Sequence, residues 1–354
     1  MSSELFPPLV LRKPCGWTNH APHCLPRLRA TTAATLTLCL LAAVVMASAV
    51  GAQTKKVRVA VPGYTIAVLS FLAAKMNGYY TGEGLDVELI AMRAPTANLA
   101  LIGGNVEFSA VPLAGLTTAL RGAPLKLLFC QFDKPQHSLY ARAEFPNIKG
   151  LRGRKVAVSG LGTIDDILLR EALGGNGVDP ARDVTILAMG AADIRFSALA
   201  SGAIDASMLI APVSFYAQDQ GFKELASFQD LGFVLPSGGI VARDETLKTD
   251  AAMAERFVRA TIMGFLYMRD NRPGTLKVMS RMLRIDEATA AKLYDSSRPT
   301  MTQDGAVTGE VEKKMTGMVL KFAGVKESPS NHRLYDFSLV KKAHAALQAK
   351  GWRP

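Results

Sequence analysis

Three short strand-like segments of this sequence recur in the same order about 97 residues further along the chain. The paired segments are RVAV at 58–61 and KVAV at 155–158, VELIAM at 87–92 and VTILAM at 184–189, and GNVEFS at 104–109 and GAIDAS at 202–207. Any two strand–helix units share some periodicity, so chance similarity is the alternative explanation. A nearly constant offset across three separated strands favours an internal repeat, and each copy ends at a proline, Pro112 or Pro212. The repeat predicts two similar lobes.

Within each copy, strand-like and helix-like segments alternate. Residues 56–61 alternate in hydrophobicity and are rich in valine, which predicts a strand, and residues 66–77 have the helical period. Strand, helix, strand, helix, strand predicts a parallel sheet flanked by helices. The later part of the chain differs, and amphipathic helices are predicted at 250–269, 273–283, 286–296, 307–323 and 335–350. The expected fold class is α/β with two lobes, each a mostly parallel sheet flanked by helices, and with extra C-terminal helices on lobe 1.

The N-terminal part of the chain is predicted to be a targeting segment. Arg27 and Arg29 precede an apolar stretch that ends in small residues, with cleavage expected after Ala49 or Ala52. An uncleaved membrane anchor is the alternative. The predicted organisation is a signal peptide at 1–52, the first part of lobe 1 at 53–142, lobe 2 at 143–232, and the rest of lobe 1 at 233–354. Crossings between the lobes are expected near 137–142 and 231–239, where two connecting strands would form a hinge.

Charge and cysteine content limit the function further. From residue 53 onward the chain has 37 basic and 29 acidic residues, scattered without a basic helix or an aromatic-studded groove, so no nucleic-acid site is expected. Cys15, Cys24 and Cys39 lie in the predicted signal peptide, which leaves Cys130 alone and excludes an internal disulfide. An exported chain of this length can build its core without one.

The sequence lacks the residue spacing that catalysis or metal binding requires. The histidines that follow the signal are His137, His332 and His344. They lie far apart and without metal-ligand spacing, and the chain has no Gly-x-Ser-x-Gly segment. Asp165, Asp166 and Asp193 lie near predicted helix starts, where they would stabilise the helix dipole rather than form a catalytic pair. No catalytic residue, metal site or cofactor is therefore expected.

Several strand-to-helix turns are predicted to gather at one edge of the two sheets. In an open parallel sheet, ligands bind beyond the carboxyl ends of the strands, where N–H groups at helix starts are available. The turns are 62–65, 93–96, 111–115, 160–164, 190–192 and 211–214. The alternative for Thr163 is a capping box with Asp166, which would satisfy these N–H groups locally. Because similar turns occur in both copies, we expect them to hold one small polar solute between the lobes.

At these segments the chain resembles the nitrate/sulfonate/taurine class of ABC-transporter solute-binding proteins. The resemblance covers nearly everything after the predicted signal and rests on VAVPGY at 59–64, GYYTGEGL at 78–85, EFSA at 107–110, LRGRKVAV at 151–158 and ALASGAIDA at 198–206. It implies a type II-like periplasmic-binding-protein fold. It also implies a monomer in the periplasm that closes on a small-molecule ligand and delivers it to ABC permease subunits in the inner membrane.

The resemblance further implies which residues bind the ligand. They are Gly63, Tyr64, Thr65, Arg93, Val111, Pro112, Leu113, Gly162, Thr163, Ile164, Asp165 and Pro212. Tyr64, Pro112 and Leu113 are expected to cover an apolar part of the ligand. Arg93 is expected either to supply a counter-charge or to be a solvated loop arginine. Pro212 follows Ile-Ala where many members have an aromatic–acid pair, and the acids after Thr163 leave room for an amino-bearing or neutral ligand.

Two other functions stay open at this point. Thiamin-pyrimidine synthases share the implied architecture, but they need a cysteine-rich iron segment and a histidine–lysine cofactor site. A single remaining cysteine argues against such an enzyme. An extracytoplasmic sensor that reports to a membrane kinase would share every feature above.

Overall fold

A computed structural model describes residues 54–326 and 334–354, so the predicted signal peptide lies outside the described residues. The strands are β1 Lys55–Val61, β2 Leu85–Ala91, β3 Phe108–Ser109, β4 Leu125–Phe132, β5 His137–Ala141, β6 Lys155–Val158, β7 Thr185–Ala188, β8 Ala206–Ile210, β9 Lys223–Ser227 and β10 Ser237–Arg243. Among the residues described, no helix combines the length and the apolar character needed to cross a bilayer.

The helices fall between the strands and, in larger number, after them. They are α1 Leu69–Met76, α2 Tyr79–Gly82, α3 Ala94–Ile102, α4 Pro112–Leu120, α5 Ile164–Gly175, α6 Ala192–Ala200, α7 Val213–Asp219, α8 Asp244–Thr249, α9 Ala251–Asp270, α10 Arg272–Leu283, α11 Glu287–Ser297, α12 Gly309–Ala323 and α13 Ser338–Ala349. Short 3₁₀ turns occupy Ile66–Val68, Ile148–Leu151 and Arg298–Thr300. The five predicted C-terminal helices are present, and the structure adds the short helix α8.

The strands form two five-stranded sheets with the same layout. The first has the order β2-β1-β3-β10-β4 and the second β7-β6-β8-β5-β9. In each sheet four strands run in one direction, and the fourth position holds the one antiparallel strand, β10 or β5. Helices α9 and α13 pack against β4 of the first sheet, and α12 packs against α4 of the same lobe. The two-lobed α/β fold with extra helices on lobe 1 is therefore confirmed.

The sequence repeat is also a repeat of strand register. Val59 lies opposite Phe108 in the first sheet, and Val156 lies opposite Ala206 at the matching place in the second. A matching hydrogen bond accompanies each pair. The Arg58 N–H donates to the carboxylate of Glu107, and the N–H at the corresponding position in lobe 2 donates to an aspartate carboxylate.

The predicted boundary at residue 142 is wrong. Strand β5 pairs with β8 and β9, so the segment from His137 onward belongs to the second sheet. The chain crosses between sheets at residues 133–136 and returns at 228–236. The sequence repeat does not include the antiparallel strand of either sheet, because β5 and β10 each follow directly after a crossing from the other lobe. The repeat therefore does not show where lobe 2 begins. The predicted strand near residue 231 is likewise absent, and only β10 forms there.

The core of lobe 1 is organised around α9, which packs along α1. Phe257 of α9 stacks on Phe108 of β3, with ring centroids 4.2 Å apart. The two helix backbones approach closely at Gly264, where an added Cβ would lie 2.1 Å from the carbonyl oxygen of Ser70. Glycine is therefore required at this crossing for packing, although it is a poor helix former.

We expect Gly264→Ala to destabilise the protein by about 1–3 kcal/mol, because the methyl group must force α1 and α9 apart. Gly317→Ala in α12 is the matched control, since nothing lies within 4 Å of a Cβ placed there. Better helix propensity should make that variant about 0.5–1 kcal/mol more stable. Urea denaturation measures both changes. If both variants change the free energy of unfolding equally and in the same direction, close packing at Gly264 is not the cause.

Candidate functional site

The topology places the carboxyl edges of the two sheets beside one another. Strand β4 ends at the carboxyl edge of the first sheet, and after the four residues 133–136 antiparallel β5 begins at the carboxyl edge of the second. Strand β9 returns to β10 in the same way. The two strand ends are five residue steps apart, which is at most about 18 Å in an extended chain. The crossings are also joined to each other, because the N–H of Leu235 donates to the carbonyl of Asp133 at 3.0 Å.

In lobe 1 the turn after β1 presents an aromatic side chain at this edge. Gly63 has a φ of 141°, and Tyr64 is 50% exposed. Thr65 is the N-cap of the 3₁₀ turn but makes no capping hydrogen bond. The buried Gln131 of β4 holds the turn, since its Nε2 donates to the Ile66 carbonyl at 2.7 Å. The turn is thus anchored to the strand that leads into the hinge.

The other predicted residues of lobe 1 differ in accessibility. Arg93 is exposed at the N-cap of α3. Val111 is the half-buried N-cap of α4, and Pro112 and Leu113 begin that helix with buried side chains. Both side chains are buried, so little of either surface is accessible to a solute in this structure.

In lobe 2 the turn after β6 is built differently. Leu161 occupies the position that corresponds to Tyr64 in the repeat and is 65% exposed, and Gly162 follows it with a φ of 76°. Thr163 is the N-cap of α5, but its side chain does not cap. Instead the carboxylate of Asp166 accepts from the N–H of Gly162 at 2.8 Å. The alternative explanation, in which Thr163 is the capping side chain of a capping box, is therefore wrong.

The other acid at this turn, Asp165, is part of a buried network. Its side chain accepts from the N–H of Ser159 at 2.6 Å and lies 3.7 Å from the guanidinium of Arg195. Asp165 is 1% and Arg195 3% exposed, and Arg195 also donates to the carbonyls of Met208 and Gly190. Asp165 therefore does more than stabilise a helix dipole. Its carboxylate oxygens already have partners within lobe 2.

The pKa values in this network follow from burial and neighbouring groups. Burial alone would raise the pKa of Asp165, but His137 and the hydrogen bonds from Thr163 and Ser159 outweigh it and lower the pKa. Burial lowers the pKa of His137. The positive charge of Arg195 also lowers it, whereas the negative charge of Asp165 raises it. The imidazole is therefore neutral at pH 7, and its Nδ1 is buried without a hydrogen-bond partner among the described residues.

The remaining predicted residues of lobe 2 lie at the starts of helices. Ile164 is the first residue of α5 and is half-buried, and its N–H belongs to the first helical turn, which has no intrahelical acceptor. Pro212 is the N-cap of α7 and is also half-buried. Both helices begin at the carboxyl edge of the second sheet, on the side that the hinge brings toward lobe 1.

A cavity that the sequence did not predict opens beside Tyr64. It has a volume of about 500 Å³ and is lined by Tyr64, Arg281, Met282, Leu283 and Arg284. Four of the lining residues come from the end of α10 and its C-cap. The amphipathic pattern of that segment predicts a packed helix but no ligand site. No pattern in the sequence joins them to residue 64, since the approach arises from the packing of α10 along α1.

Groups that could support metal or thiol chemistry are scarce in the described ranges. No cluster of three or more His, Cys, Asp or Glu side chains suited to a metal ion occurs within 54–326 or 334–354. Burial, aided by the charge of Asp133, raises the pKa of the Cys130 thiol well above its usual value. The thiol is therefore protonated at neutral pH and shielded from solvent.

We expect Asp165→Asn to lower the free energy of unfolding by about 3–5 kcal/mol, because Arg195 would keep a buried charge without its ionic partner. Asp193→Asn is the control, since this acid lies in the first turn of α6 but is exposed. Its effect should stay within about 0.5 kcal/mol. Urea denaturation of both variants measures the difference. Wild-type stability of Asp165→Asn would show that the network is not structural.

Solved structures share this fold at low sequence identity. The periplasmic aliphatic sulphonate binding protein SsuA from Escherichia coli aligns with a TM-score of 0.64 at 18% identity, over 81% of this chain and 99% of its own. The periplasmic nitrate-binding protein NrtA from Synechocystis PCC 6803 aligns with a TM-score of 0.66 at 12% identity, over 84% and 90%. The desulfurization enzyme DSZB aligns with a TM-score of 0.62 at 13% identity, over 82% and 99%.

Sequence comparison gives the family directly. No curated protein matches the chain. The family model described as NMT1/THI5 like matches residues 66–273, which is more than half of the sequence and includes both crossings between the sheets. The chain therefore belongs to the NMT1/THI5 like family.

Proposed function

We propose that this protein is an extracytoplasmic solute-binding protein that captures a small polar or anionic organic solute between its lobes and delivers it to an ABC permease. One observation carries the proposal. Tyr64 and Leu161 occupy matching positions of the repeat, both are exposed, and both lie at sheet edges joined by the same pair of crossings. The names of SsuA and NrtA support a solute of the sulfonate or nitrate kind.

Backbone groups alone cannot account for binding in an open cleft. One helix N-terminus contributes about 0.3–1 kcal/mol to a nearby charge, and micromolar affinity needs about 8 kcal/mol. Burial of a large apolar side chain contributes about 1.5–3 kcal/mol. Closure over the solute would bury Tyr64 and Leu161 together and exclude water. Burial of Tyr64 and Leu161 would therefore contribute more to the affinity than the helix starts do.

Contacts between the lobes outside the hinge are weak enough to permit closure. Lys321 of α12 pairs with Glu171 of α5 at 2.6 Å. Lys292 of α11 lies 3.8 Å from Asp219 of α7 and 4.6 Å from the ring centroid of Phe215, a cation–π contact that contributes about 0.5–1 kcal/mol at an exposed site. Such exposed ion pairs contribute between zero and about 1 kcal/mol. The solute's preference for the closed form would thus determine the population of that form.

The proposed location and partner follow from the predicted signal peptide together with the family. Export would place the lobes in the periplasm, where a binding protein meets the outer face of an inner-membrane permease. We propose that the protein acts there as a monomer, without a cofactor. An extracytoplasmic sensor is the second candidate for the same scaffold, and affinity capture with the membrane proteins encoded beside it would separate permease from kinase.

A panel of sulfonates, nitrate, aromatic carboxylates, amino-sulfonates and pyrimidines tests solute binding. At 100 times its dissociation constant, a true solute should stabilise the protein by about 2.7 kcal/mol, measured as a thermal shift. Tyr64→Ala and Leu161→Ala should each weaken binding of that solute by about 10-fold to 100-fold through lost apolar burial. Met76→Ala, at the far end of α1, is the control and should bind as the wild type does. If no compound raises the melting temperature, the proposal fails.

An enzyme is the third candidate, favoured by the likeness to DSZB. The one described cysteine, Cys130, is buried in β4 and has a raised pKa, which opposes its use as a nucleophile. We therefore expect the bound solute to be recovered unchanged after prolonged incubation with the protein. Mass spectrometry of the released solute measures this. Any product that requires the protein would establish an enzyme instead.

A further inference from the structure

The cavity beside Tyr64 is lined by two cationic side chains from the end of α10. Arg281 lies in the last turn of this helix and Arg284 is its C-cap. Arg281 and Arg284 line the same cavity, although Arg284 has left-handed backbone geometry and lies outside the helix. Two guanidinium groups, each with several N–H donors, therefore border one cavity together with the tyrosine of the predicted ligand turn.

Neither guanidinium has an ionic or hydrogen-bond partner among the residues that the structure describes. Other arginines near the ends of α9 and α10 are paired, as Arg269 is with Asp270 and Arg272 with Asp295. The acid next along the chain, Asp286, is occupied by the N–H and hydroxyl of Thr289. Both arginines are exposed to solvent, so the positive charge at the cavity is available to a ligand.

The backbone at Arg284 adds a second, independent observation. Its φ of 56° and ψ of 45° are left-handed, and it is the one non-glycine residue with a positive φ in the described chain. Glycine is the usual residue at this place in a helix end because a Cβ is unfavourable there. Such strain concentrates at ligand sites, where the side chain is needed in spite of its backbone.

Compensation of the helix dipole is the alternative explanation for these arginines. The end of α10 carries roughly half a negative charge, and cations are commonly found there. Two guanidiniums exceed that charge and leave the cavity positive. Dipole compensation also gives no reason for an arginine, rather than a glycine, at the left-handed position.

We propose that this cavity binds the anionic head group of the solute, a sulfonate or carboxylate, through Arg281 and Arg284, with the ring of Tyr64 against the adjoining carbon atoms. The inference rests on the proposed solute-binding function and assigns its charge selectivity to lobe 1. It replaces Arg93 as the proposed counter-charge. Lobe 2, whose Arg195 is already bonded internally, then closes over the apolar part with Leu161.

Isothermal titration with benzenesulfonate, benzoate and the neutral analogue benzenesulfonamide tests this assignment. Loss of one charge-assisted contact should weaken benzenesulfonate binding by about 10-fold to 100-fold in Arg281→Gln and in Arg284→Gly. Benzenesulfonamide, which carries no charge, should bind the wild type more weakly and lose little further affinity in the variants. Whether benzoate or benzenesulfonate binds the wild type more tightly identifies the preferred head group.

Two comparisons keep the result interpretable. Arg284→Gly should unfold at the same or a higher urea concentration than the wild type, because it relieves the backbone strain, so weaker binding is not a folding defect. Lys277→Gln removes the same charge from the same helix one turn before the cavity and should bind as the wild type does.

The inference is overturned if both arginine variants bind benzenesulfonate like Lys277→Gln, or if benzenesulfonamide binds the wild type as tightly as the anions do. In either case, the proposed function would still be supported if Tyr64→Ala and Leu161→Ala lose solute binding. Failure of every compound in the wider panel would instead remove the proposed function, and this inference with it.

Discussion

The arrangement of the whole molecule depends on one antiparallel strand in the interior of each sheet. Strand β10 lies between β3 and β4, and β5 lies between β8 and β9, so neither sheet is continuous without a strand that arrives from the other lobe. An antiparallel strand must begin where its neighbours end. Each crossing therefore joins two carboxyl edges, and the edges that carry the helix starts are held beside one hinge.

The two lobes share a scaffold but distribute charge in opposite ways. Lobe 2 pairs its buried Arg195 with Asp165 and with backbone carbonyls, which leaves mainly the apolar Leu161 at the edge. Lobe 1 presents Tyr64 beside two arginines that lack partners in the described chain. The surroundings of the two equivalent turns therefore differ in charge, and a solute with one charged and one apolar end would match the difference.

Sequence reasoning succeeded where a feature is local and failed where it depends on packing. The repeat predicts both sheets, because strand period and offset are local properties of the chain. The exposed positions of Tyr64 and Gly162 follow from turn chemistry in the same way. Arg195, His137 and Asp165 come together from three different elements, and Arg281 approaches the turn that carries Tyr64 only through helix packing. The boundary at residue 142 failed because β5 has no partner in the repeat.

The interior position of β10 also makes the first sheet depend on a late segment of the chain. The first sheet begins with residue 55, yet the place between β3 and β4 is filled by residues 237–243. The second sheet needs nothing beyond residue 227. The sheet that contains the earliest strand of the chain is therefore completed only by a strand that follows the whole of the second sheet in sequence.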